Sequence, residues 1–311
     1  MRIAAIGRSK ILWNSIKLLL AKGHEIVLIV TCKAAPEYDI DENDFKKLSR
    51  EIKSDFLLTQ NINNHESIEI VKSVPADIAI SVNWINIIGS QVCSTFKYGI
   101  LNAHAGDLPR YRGNAPVAWA ILQGEKQIAL TIHQMEPDKL DSGQIVLKEY
   151  FQVTDKIYIG DVFKWIETVT PELFYKSVNG MKLGTLSLMP QPDDPNLSLR
   201  CYPRKPEDAL IDWRLPGEYL ARLVRASSEP FIGAFSYWNG KRITIWRAYS
   251  ASFQCPSLAV PGQVIHRDKK SGSVWIASGD GMLVLQEVET KKNGRCKPLC
   301  IINSLRDRLG V

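Results

Sequence analysis

The sequence predicts an α/β protein in which a Rossmann-like, parallel-sheet domain is followed by a small, mostly β, OB-like barrel domain. Two patterns indicate this: short apolar runs alternate with helical patterns early in the chain, and short strands separated by Gly and Asn turns fill its last third. A proline-rich stretch lies between the two. With 311 residues, 45% of them hydrophobic, the chain is long enough for two buried cores.

The chain begins with a βαβ pattern. Residues 3–6 predict a strand, the amphipathic stretch 11–20 predicts a helix, and residues 25–30 predict a second strand. This alternation is typical of a parallel sheet covered by helices. Further strands are predicted at 77–82, 99–102, 128–134 and 144–151, and helices at 115–122 and 159–178.

The second domain follows a segment with the composition of a linker. Five prolines and no hydrophobic periodicity lie between Pro190 and Pro206. We therefore predict a catalytic domain at 1–190, a linker at 191–205 and a barrel domain at 206–311. In the barrel domain, one helix is predicted at 217–227, and strands are predicted at 234–238, 242–248, 262–266, 273–277 and 282–288.

Several common classes of protein do not match the sequence. The first strand is followed by the single glycine Gly7, whereas a dinucleotide site needs G-x-G-x-x-G, and no P-loop motif is present. No apolar run reaches the about 18 residues that span a bilayer, and the first residues resemble a strand, so we expect a cytoplasmic protein. The six cysteines are scattered, so we predict no metal site.

The net charge of +6 is unevenly distributed. Residues 206–311 contain 15 Lys and Arg against 10 Asp and Glu, whereas residues 1–205 contain 24 against 23. The small excess in the last third is compatible with an anionic partner, although a solvated surface is the better explanation of an excess of this size.

The chemistry is indicated by residues 99–116. Asn102 and His104 stand two apart at the end of a predicted strand, so their side chains leave on the same side. Ligands of open parallel sheets bind at the carboxyl ends of strands. A turn-rich loop after the strand at 128–134 presents Asp138 and Asp141, and an acid there can face the histidine.

These motifs resemble those of the formyltetrahydrofolate-dependent formyltransferases. The resemblance includes Asn102-x-His104, the Leu108-Pro109-x-Tyr-Arg112-Gly113-x-Ala-Pro116 run and Asp141-Ser-Gly143. It extends over nearly the whole chain, because residues 208–213 and 230–235 resemble the start of the family's C-terminal domain. One departure is visible: many members have His-x-Ser-Leu-Leu-Pro, whereas this chain has His104-Ala-Gly-Asp-Leu-Pro109.

The resemblance implies an N-formyltransferase that uses 10-formyltetrahydrofolate, with a catalytic set of three residues. Asn102 would donate a hydrogen bond to the developing oxyanion, a contribution of about 3 kcal/mol for such a donor elsewhere. His104 would take the proton of the attacking amine, because imidazole titrates near neutral pH. Asp141 would orient the imidazole and stabilise its cation. We interpret His133, which has no acid partner in its own motif, as a structural histidine.

The resemblance also implies the binding residues. The folate donor is expected to contact two segments, Trp84, Ile85, Asn86, Ile87 and Ile88 in one and Met135, Glu136, Pro137 and Asp138 in the other. The acceptor is expected to contact residues near the first turn and after His104: Arg8, Ser9, Tyr111, Arg112, Gly113 and Asn114.

The acceptor is predicted from the segment after the second strand. In methionyl-tRNA formyltransferases this segment is a basic loop that reaches the tRNA, whereas residues 32–44 here contain five acids and one lysine. The acids are Glu37, Asp39, Asp41, Glu42 and Asp44. We therefore favour a nucleotide-linked amino sugar, as in lipopolysaccharide O-antigen biosynthesis.

Other functions stay open at this stage. Within the family, the acceptor can instead be methionyl-tRNA or an amino-acid side-chain amine. Outside enzymology, the chain can be a nucleic-acid-binding relic of the family, although all three catalytic residues are retained. A homodimer is compatible with the sequence, and no membrane partner is expected.

Overall fold

The computed structural model describes residues 1–35, 38–253 and 258–310. The chain divides into two compact units. The first consists of Met1–Pro116, Gln127–Phe151 and Phe163–Cys201, and the second of Val117–Lys126, Gln152–Val162 and Tyr202–Val311. The second unit thus includes two short segments that precede the predicted linker. We retain residues 191–205 as a proposal for the boundary between the family's domains.

The first unit is built on a seven-stranded sheet with the strand order β3-β2-β1-β4-β5-β7-β8. Its strands are β1 (Arg2–Gly7), β2 (Glu25–Thr31), β3 (Asp55–Leu58), β4 (Ile78–Val82), β5 (Ile100–His104), β7 (Gln127–Gln134) and β8 (Ile145–Gln152). A separate two-stranded sheet joins the short strands β6 (Arg112–Gly113) and β9 (Arg200–Cys201). The helices are α1 (Lys10–Ala21), α2 (Glu42–Ile52), α3 (His65–Ser73), α4 (Ser90–Cys93), α5 (Pro116–Gln123) and α6 (Ile159–Leu183).

Five neighbouring strands of the sheet are parallel to one another, which confirms the predicted Rossmann-like class; they are β3, β2, β1, β4 and β5. Strand β7, in contrast, runs antiparallel to β5, so the sheet is mixed. Hydrophobic periodicity marks a strand but does not encode its direction, which explains why the sequence predicted only parallel strands. The antiparallel pair has a direct consequence, because it places residues of β7 opposite those of β5.

The central strands form because their residues are apolar on both faces. Residues 3–6 of β1 and 78–80 of β4 are fully buried, as expected for a sheet covered by helices on both sides. Part of the core lies around Val30, Ile88 and Ile100, and Trp84 and Met135 pack against it. This packing holds the carboxyl ends of β4 and β5 in place.

The acidic residues after β2 begin a helix. Asp41 is the N-cap of α2, and its side chain accepts hydrogen bonds from the backbone amides of Asn43 and Asp44. The Asp44 carboxylate accepts from the Asp41 amide in return, which completes a capping box. Glu42 accepts from the amide of Ala34 at 3.0 Å. Three of the predicted acids therefore shape this segment, while Glu37 lies outside the described residues.

The second unit contains the antiparallel sheet that the sequence predicted. Strand order is β10-β11-β14-β13-β12. The short β15 pairs with the last residues of β14, beyond the part of β14 that pairs with β13. Its elements are α7 (Gly217–Ser227), β10 (Ala234–Trp238), β11 (Lys241–Ala251), β12 (Val264–Arg267), β13 (Val274–Ala277), β14 (Met282–Thr290) and β15 (Gly294–Cys296).

The last described residues connect the two edges of this sheet. Arg308 forms an antiparallel bridge with Gln263, next to β12, and Leu309 forms one with Trp238 of β10. The Val264 amide donates to the Asp307 carbonyl, and the Gly310 amide donates to the Tyr237 carbonyl. Residues 307–310 therefore close the sheet into a barrel, which is consistent with the predicted OB-like shape.

Across the part of the chain that the structure describes, none of the helices combines the length and the apolar character that crossing a bilayer requires.

Candidate active site

Asn102 and His104 lie at the carboxyl end of β5, two residues apart, as the sequence predicted. The antiparallel register pairs Asn102 with His133 and His104 with Thr131 on β7. The Asn102 Nδ2 atom is 3.1 Å from His133 Nε2. The strand pairing therefore adds a second imidazole to the predicted set.

His104 is held by backbone. Its Nε2 atom donates to the Tyr111 carbonyl at 2.7 Å, and only 7% of the residue is exposed. Because a carbonyl can only accept, Nε2 carries the hydrogen and Nδ1 carries the lone pair in the neutral imidazole. Tyr111 adopts a left-handed φ of 61°, a conformation that side-chain-bearing residues rarely adopt. The loop after β5 thus selects the tautomer of His104.

Gly106 explains the departure from the family's His-x-Ser pattern. A Cβ atom at this position would lie 2.6 Å from His104 Nε2 and 2.7 Å from the Tyr111 carbonyl oxygen. Real Cβ atoms do not approach other atoms that closely. The absence of a side chain at residue 106 is therefore what permits the hydrogen bond between His104 and Tyr111 in this chain.

The next residue, Asp107, also differs from the family's leucine and makes an ion pair. Its Oδ1 accepts from Lys148 Nζ at 2.6 Å and from the Tyr150 hydroxyl at 3.1 Å. Lys148 donates as well to the Leu108 carbonyl at 2.7 Å. These bonds attach the loop after β5 to strand β8.

Asp141 faces both histidines. Its Oδ2 lies 3.6 Å from His104 Nδ1, and its Oδ1 lies 3.8 Å from His133 Nε2. The carboxylate also accepts from the Gly113 amide at 2.7 Å, and 12% of its side chain is exposed. A carboxylate in this position stabilises a positive charge on a neighbouring imidazole.

The loop that contains Asp141 is fixed from two sides. Gln191 Nε2 donates to the carbonyls of Asp141, at 3.0 Å, and of Gly143, at 2.9 Å. Gly143 has a φ of +99°, and a Cβ atom there would lie 2.1 Å from the Gln134 carbonyl oxygen. Only glycine fits this position, so the Asp-Ser-Gly motif reflects a close approach of the loop to β7.

The two segments predicted to contact the folate donor are adjacent in space. The Asp138 amide donates to the Ile88 carbonyl at 3.4 Å, which joins residues 84–88 to residues 135–138. The Ile88 side chain is buried in the core, whereas Ile87 is exposed. Asn86 Nδ2 donates to the Gln60 carbonyl at 2.9 Å, Met135 packs on the core, and Glu136 pairs with Lys139.

One atom in this region is compatible with a bound ligand. The indole Nε1 of Trp84 is buried and has no hydrogen-bond partner among the described residues. A buried donor of this kind is costly unless an acceptor satisfies it. Residues 84–88 and 135–138 are therefore compatible with a bound heteroaromatic molecule, such as a folate, whose atoms accept a hydrogen bond from this indole.

The residues predicted to contact the acceptor form two groups. Arg8 and Ser9 follow β1, where Arg8 donates to the carbonyls of Asn83 and Lys33 and Ser9 accepts from Asn83 Nδ2 at 3.0 Å. The Arg8 guanidinium stacks on the Tyr38 ring, 5.5 Å from its centroid. The other group follows His104: Tyr111 and Gly113 contact the catalytic set, Arg112 donates to Gln191 Oε1, and the Asn114 amide donates to the Cys201 carbonyl.

His133 is the group that the motif analysis undervalued. It is 1% exposed and was interpreted as structural, yet it contacts Asn102 and Asp141. Its pKa is lowered to about 4, mainly because the ring is buried and secondly because His104 is near. Asp141 has the opposite, smaller effect on this pKa. The position of residue 133 opposite Asn102 depends on the antiparallel direction and the register of β5 and β7, which the sequence pattern does not contain. Gln191, in the predicted linker, gave no sequence signal either.

The arrangement combines a fixed amide donor, an imidazole with a lone pair and a carboxylate beside that lone pair. Such a set can accept a proton from a nucleophile and stabilise negative charge on a carbonyl oxygen. Buried thiols do not offer a nucleophile, because burial raises the pKa of Cys93 and Cys201 to about 11. The site therefore supports direct transfer between two bound molecules.

Comparison with known proteins gives two family matches that follow each other along the chain. Residues 1–178 match the family described as "Formyl transferase", and residues 204–306 match "Formyl transferase, C-terminal domain". A curated relative, the methionyl-tRNA formyltransferase of Syntrophomonas wolfei subsp. wolfei, is 30% identical over 292 residues, covering 93% of this chain and 91% of the relative.

Solved structures show the same fold at lower identity. The sugar 3N-formyl transferase WlaRD, solved in the presence of dTDP and 5-N-formyl-THF, is 18% identical with a TM-score of 0.66, covering 92% of this chain and 96% of that protein. The N-formyltransferase of Helicobacter canadensis, solved with folinic acid and dTDP-3-aminofucose, is 16% identical with a TM-score of 0.69, covering 91% and 98%.

Proposed function

This chain belongs to the formyl transferase family and is a formyltetrahydrofolate-dependent formyltransferase, and we propose that it formylates the amine of a nucleotide-linked amino sugar. The geometry that supports formyl transfer is the convergence of Asn102, His104 and Asp141 at the carboxyl end of β5. The charge of the segment after β2 supports the choice of acceptor.

In the proposed mechanism, His104 is the base. The amine nitrogen attacks the formyl carbon, a new C–N bond forms, and the amine proton moves to Nδ1, the nitrogen whose lone pair is available. Nδ1 then carries a proton 3.6 Å from Asp141 Oδ2, so the carboxylate stabilises the imidazolium. The distance exceeds that of a direct hydrogen bond, which leaves room for a small closing movement on binding.

Asn102 stabilises the other charge of the reaction. As the amine attacks, the formyl oxygen becomes an oxyanion, and the carboxamide of Asn102 donates a hydrogen bond to it. The bond between the formyl carbon and the folate nitrogen then breaks, and that nitrogen takes the proton that Nδ1 held. The products are a formamide and tetrahydrofolate, so atoms and charges balance without a covalent enzyme intermediate.

The sugar acceptor is supported by residues 32–44, which follow β2 and include the first turn of α2. The described part of this segment contains Lys33 as a single cation, against Asp39, Asp41, Glu42 and Asp44. Because tRNA binding depends on neutralising phosphates with cations, this segment would repel an acceptor stem. A nucleotide sugar has far fewer phosphates, and the cation and aromatic ring of Arg8 and Tyr38 are suited to a nucleotide.

Methionyl-tRNA is the second candidate, and the second unit provides its support. The strand register places three turns at one end of the barrel: β10 to β11, β12 to β13 and β14 to β15. The turns β12 to β13 and β14 to β15 contain the cations Lys269, Lys270, Lys291 and Lys292, and Lys241 and Arg242 are the first residues of β11 after the remaining turn. The curated relative that covers both domains is also a methionyl-tRNA formyltransferase.

The test is a formyl-transfer assay with 10-formyltetrahydrofolate and two acceptors, a panel of nucleotide-linked amino sugars and charged initiator methionyl-tRNA. We expect turnover with a sugar, and loss of about 100-fold or more in His104→Ala. Turnover with the tRNA and none with any sugar would overturn the proposed acceptor. If neither the sugars nor the tRNA is formylated, both proposed acceptor classes are overturned.

A charge variant tests the reason for the choice. Asp39 is exposed and does not cap α2, so Asp39→Lys adds positive charge to the segment without removing the helix cap. We expect any residual activity with tRNA to rise while sugar activity stays unchanged. Asp193→Lys, an equal charge change at an exposed residue of the proposed linker, is the matched control.

A further inference from the structure

The proposed mechanism gives no role to His133, a buried titratable group that contacts the proposed catalytic residues. It lies on β7 directly opposite Asn102 and is 1% exposed. We propose that His133 is a positioning residue that determines which end of the Asn102 carboxamide faces the bound formyl group. This inference rests on the proposed formyl transfer and names a residue that governs the orientation of its oxyanion donor.

The tautomer of His133 follows from its partners. Its Nδ1 atom lies 3.1 Å from the Ser142 carbonyl oxygen and 3.4 Å from that of Gln134. Since carbonyl oxygens only accept, Nδ1 carries the hydrogen and donates it. The Nε2 atom of the neutral ring is therefore a lone-pair acceptor, and it points towards Asn102 and Asp141.

A lone pair at Nε2 fixes the orientation of the amide. The Asn102 side chain can place either its oxygen or its NH₂ group next to His133, because the two orientations fill nearly the same volume. An amide oxygen next to the Nε2 lone pair would be repelled, whereas Nδ2 donates to it at 3.1 Å. One of the two Nδ2 hydrogens is used in this way, and the second remains for a ligand.

The neutrality of His133 also matters for Asp141. The titratable groups that face the ring are His104 and Asp141, and burial opposes a charge on His133. A protonated His133 would compete with His104 for the single carboxylate, and it would lose the acceptor for Asn102. A neutral His133 leaves the carboxylate to the imidazolium of His104.

A purely structural role for His133 makes a different prediction. In that case the important contact is the one that links β7 to the Ser142 carbonyl through Nδ1, and the Nε2 atom is incidental. Two substitutions separate the roles because each retains one nitrogen position. His133→Gln retains an acceptor near the Nε2 position, and His133→Asn retains a donor near the Nδ1 position.

The experiment measures kcat and KM of the full chain for formyl transfer, with the melting temperature of each variant. We expect His133→Asn to lower kcat by about 10- to 100-fold with little change in KM, since misplacing a reacting group has effects of this size. His133→Gln should recover most of kcat. Equal kcat for the two variants, or a better-preserved kcat in His133→Asn, would overturn the proposal.

A double-variant cycle with Asn102→Ala completes the test. If His133 acts through Asn102, His133→Asn should change kcat by less than about 2-fold once Asn102 is alanine. Full multiplication of the two effects would overturn the proposal and assign His133 to the fold. Failure of the wild-type chain to transfer formyl to any acceptor would instead refute the proposed function, so the two failures are distinguishable.

Discussion

Gly106 determines how closely the backbone approaches His104, the proposed base. The backbone path of this chain has no room for a serine at residue 106, because a Cβ atom here would overlap both His104 Nε2 and the Tyr111 carbonyl. The hydrogen bond between those two groups selects the tautomer that leaves Nδ1 for chemistry. In the proposed mechanism, a residue without a side chain therefore influences proton transfer.

Gly106→Ser restores the family's residue, yet we expect kcat to fall about 10-fold or more, because the imidazole must move away from the Tyr111 carbonyl. Steady-state kinetics measure the effect. Ala105→Ser, which adds a hydroxyl one residue earlier, is the control and should retain activity. Wild-type kinetics in Gly106→Ser would show that the loop adapts and that the glycine is not required.

The three residues that the sequence proposes as catalytic lie together in the structure, whereas their supporting partners were not predicted. Asn102, His104 and Asp141 belong to short motifs with fixed spacing, so the resemblance identified them. His133 and Gln191 act through contacts between distant parts of the chain, 31 and 50 residues from Asn102 and Asp141. Such contacts depend on strand direction and loop path, which the local pattern does not contain.

At the scale of elements, the loop after β5 depends on β8. The ion pair between Asp107 and Lys148 is partly buried, since 18% of the lysine side chain is exposed. Lys148 also donates to the Leu108 carbonyl. The position of the Tyr111 carbonyl, and hence of His104, therefore depends on a strand at the edge of the sheet.

We expect Lys148→Met to lower kcat/KM about 10-fold, because the loop loses two charge-assisted hydrogen bonds and Asp107 loses its cation. Lys148→Arg, which retains the charge, should lose less. Kinetics and thermal unfolding of both variants are the measurements. Equal activity of the methionine and arginine variants would mean that this ion pair does not position the loop.

The elements themselves were predictable where their hydrophobic pattern was strong. The strands around residues 3–6, 25–30 and 77–82 and most strands of the second unit were predicted within a few residues. Helix α2 and strand β3 were missed, because α2 buries little beyond Phe45 and Leu48 among charged residues and β3 is a four-residue edge strand. A hydrophobic pattern with so few apolar positions cannot be distinguished from that of a loop.

The closing segment of the barrel gives another prediction. Removing residues 307–311 should lower the unfolding temperature of the second unit, because the edges next to Gln263 and at Trp238 lose their backbone partners. Differential scanning calorimetry measures this. Asp307→Asn, which leaves the backbone pairing in place, is the control. An unchanged transition after truncation would show that the barrel closes without this segment.

At the scale of the whole molecule, buried histidines make stability depend on pH. The pKa of His133 is lowered to about 4, and burial also lowers the pKa of His24, with the N-terminus and Lys182 adding to the effect. Between the folded and ordinary pKa values, the unfolded chain binds protons that the folded protein does not. The contribution of these neutral histidines to the free energy of unfolding is therefore complete above about pH 6.5 and decreases as the pH falls towards 4.

Comparing the wild type with His133→Gln isolates one of these groups. Between about pH 6.5 and 5 we expect the wild type to lose about 2 kcal/mol more unfolding free energy than the variant, since each pH unit contributes about 1.4 kcal/mol per such group. Urea titrations at a series of pH values measure it. Parallel pH profiles for the two proteins would mean that the pKa of His133 is the same in the folded and unfolded states.

The position of residues 307–310 has a consequence for synthesis on the ribosome. Both edges of the barrel sheet pair with these residues, so translation has passed nearly every other strand of the second unit before its edges find a partner. During that interval, β10 and β12 present unpaired backbone to other nascent chains. Until Leu309 has left the exit tunnel, the outer edges of β10 and β12 are therefore open to pairing with another chain.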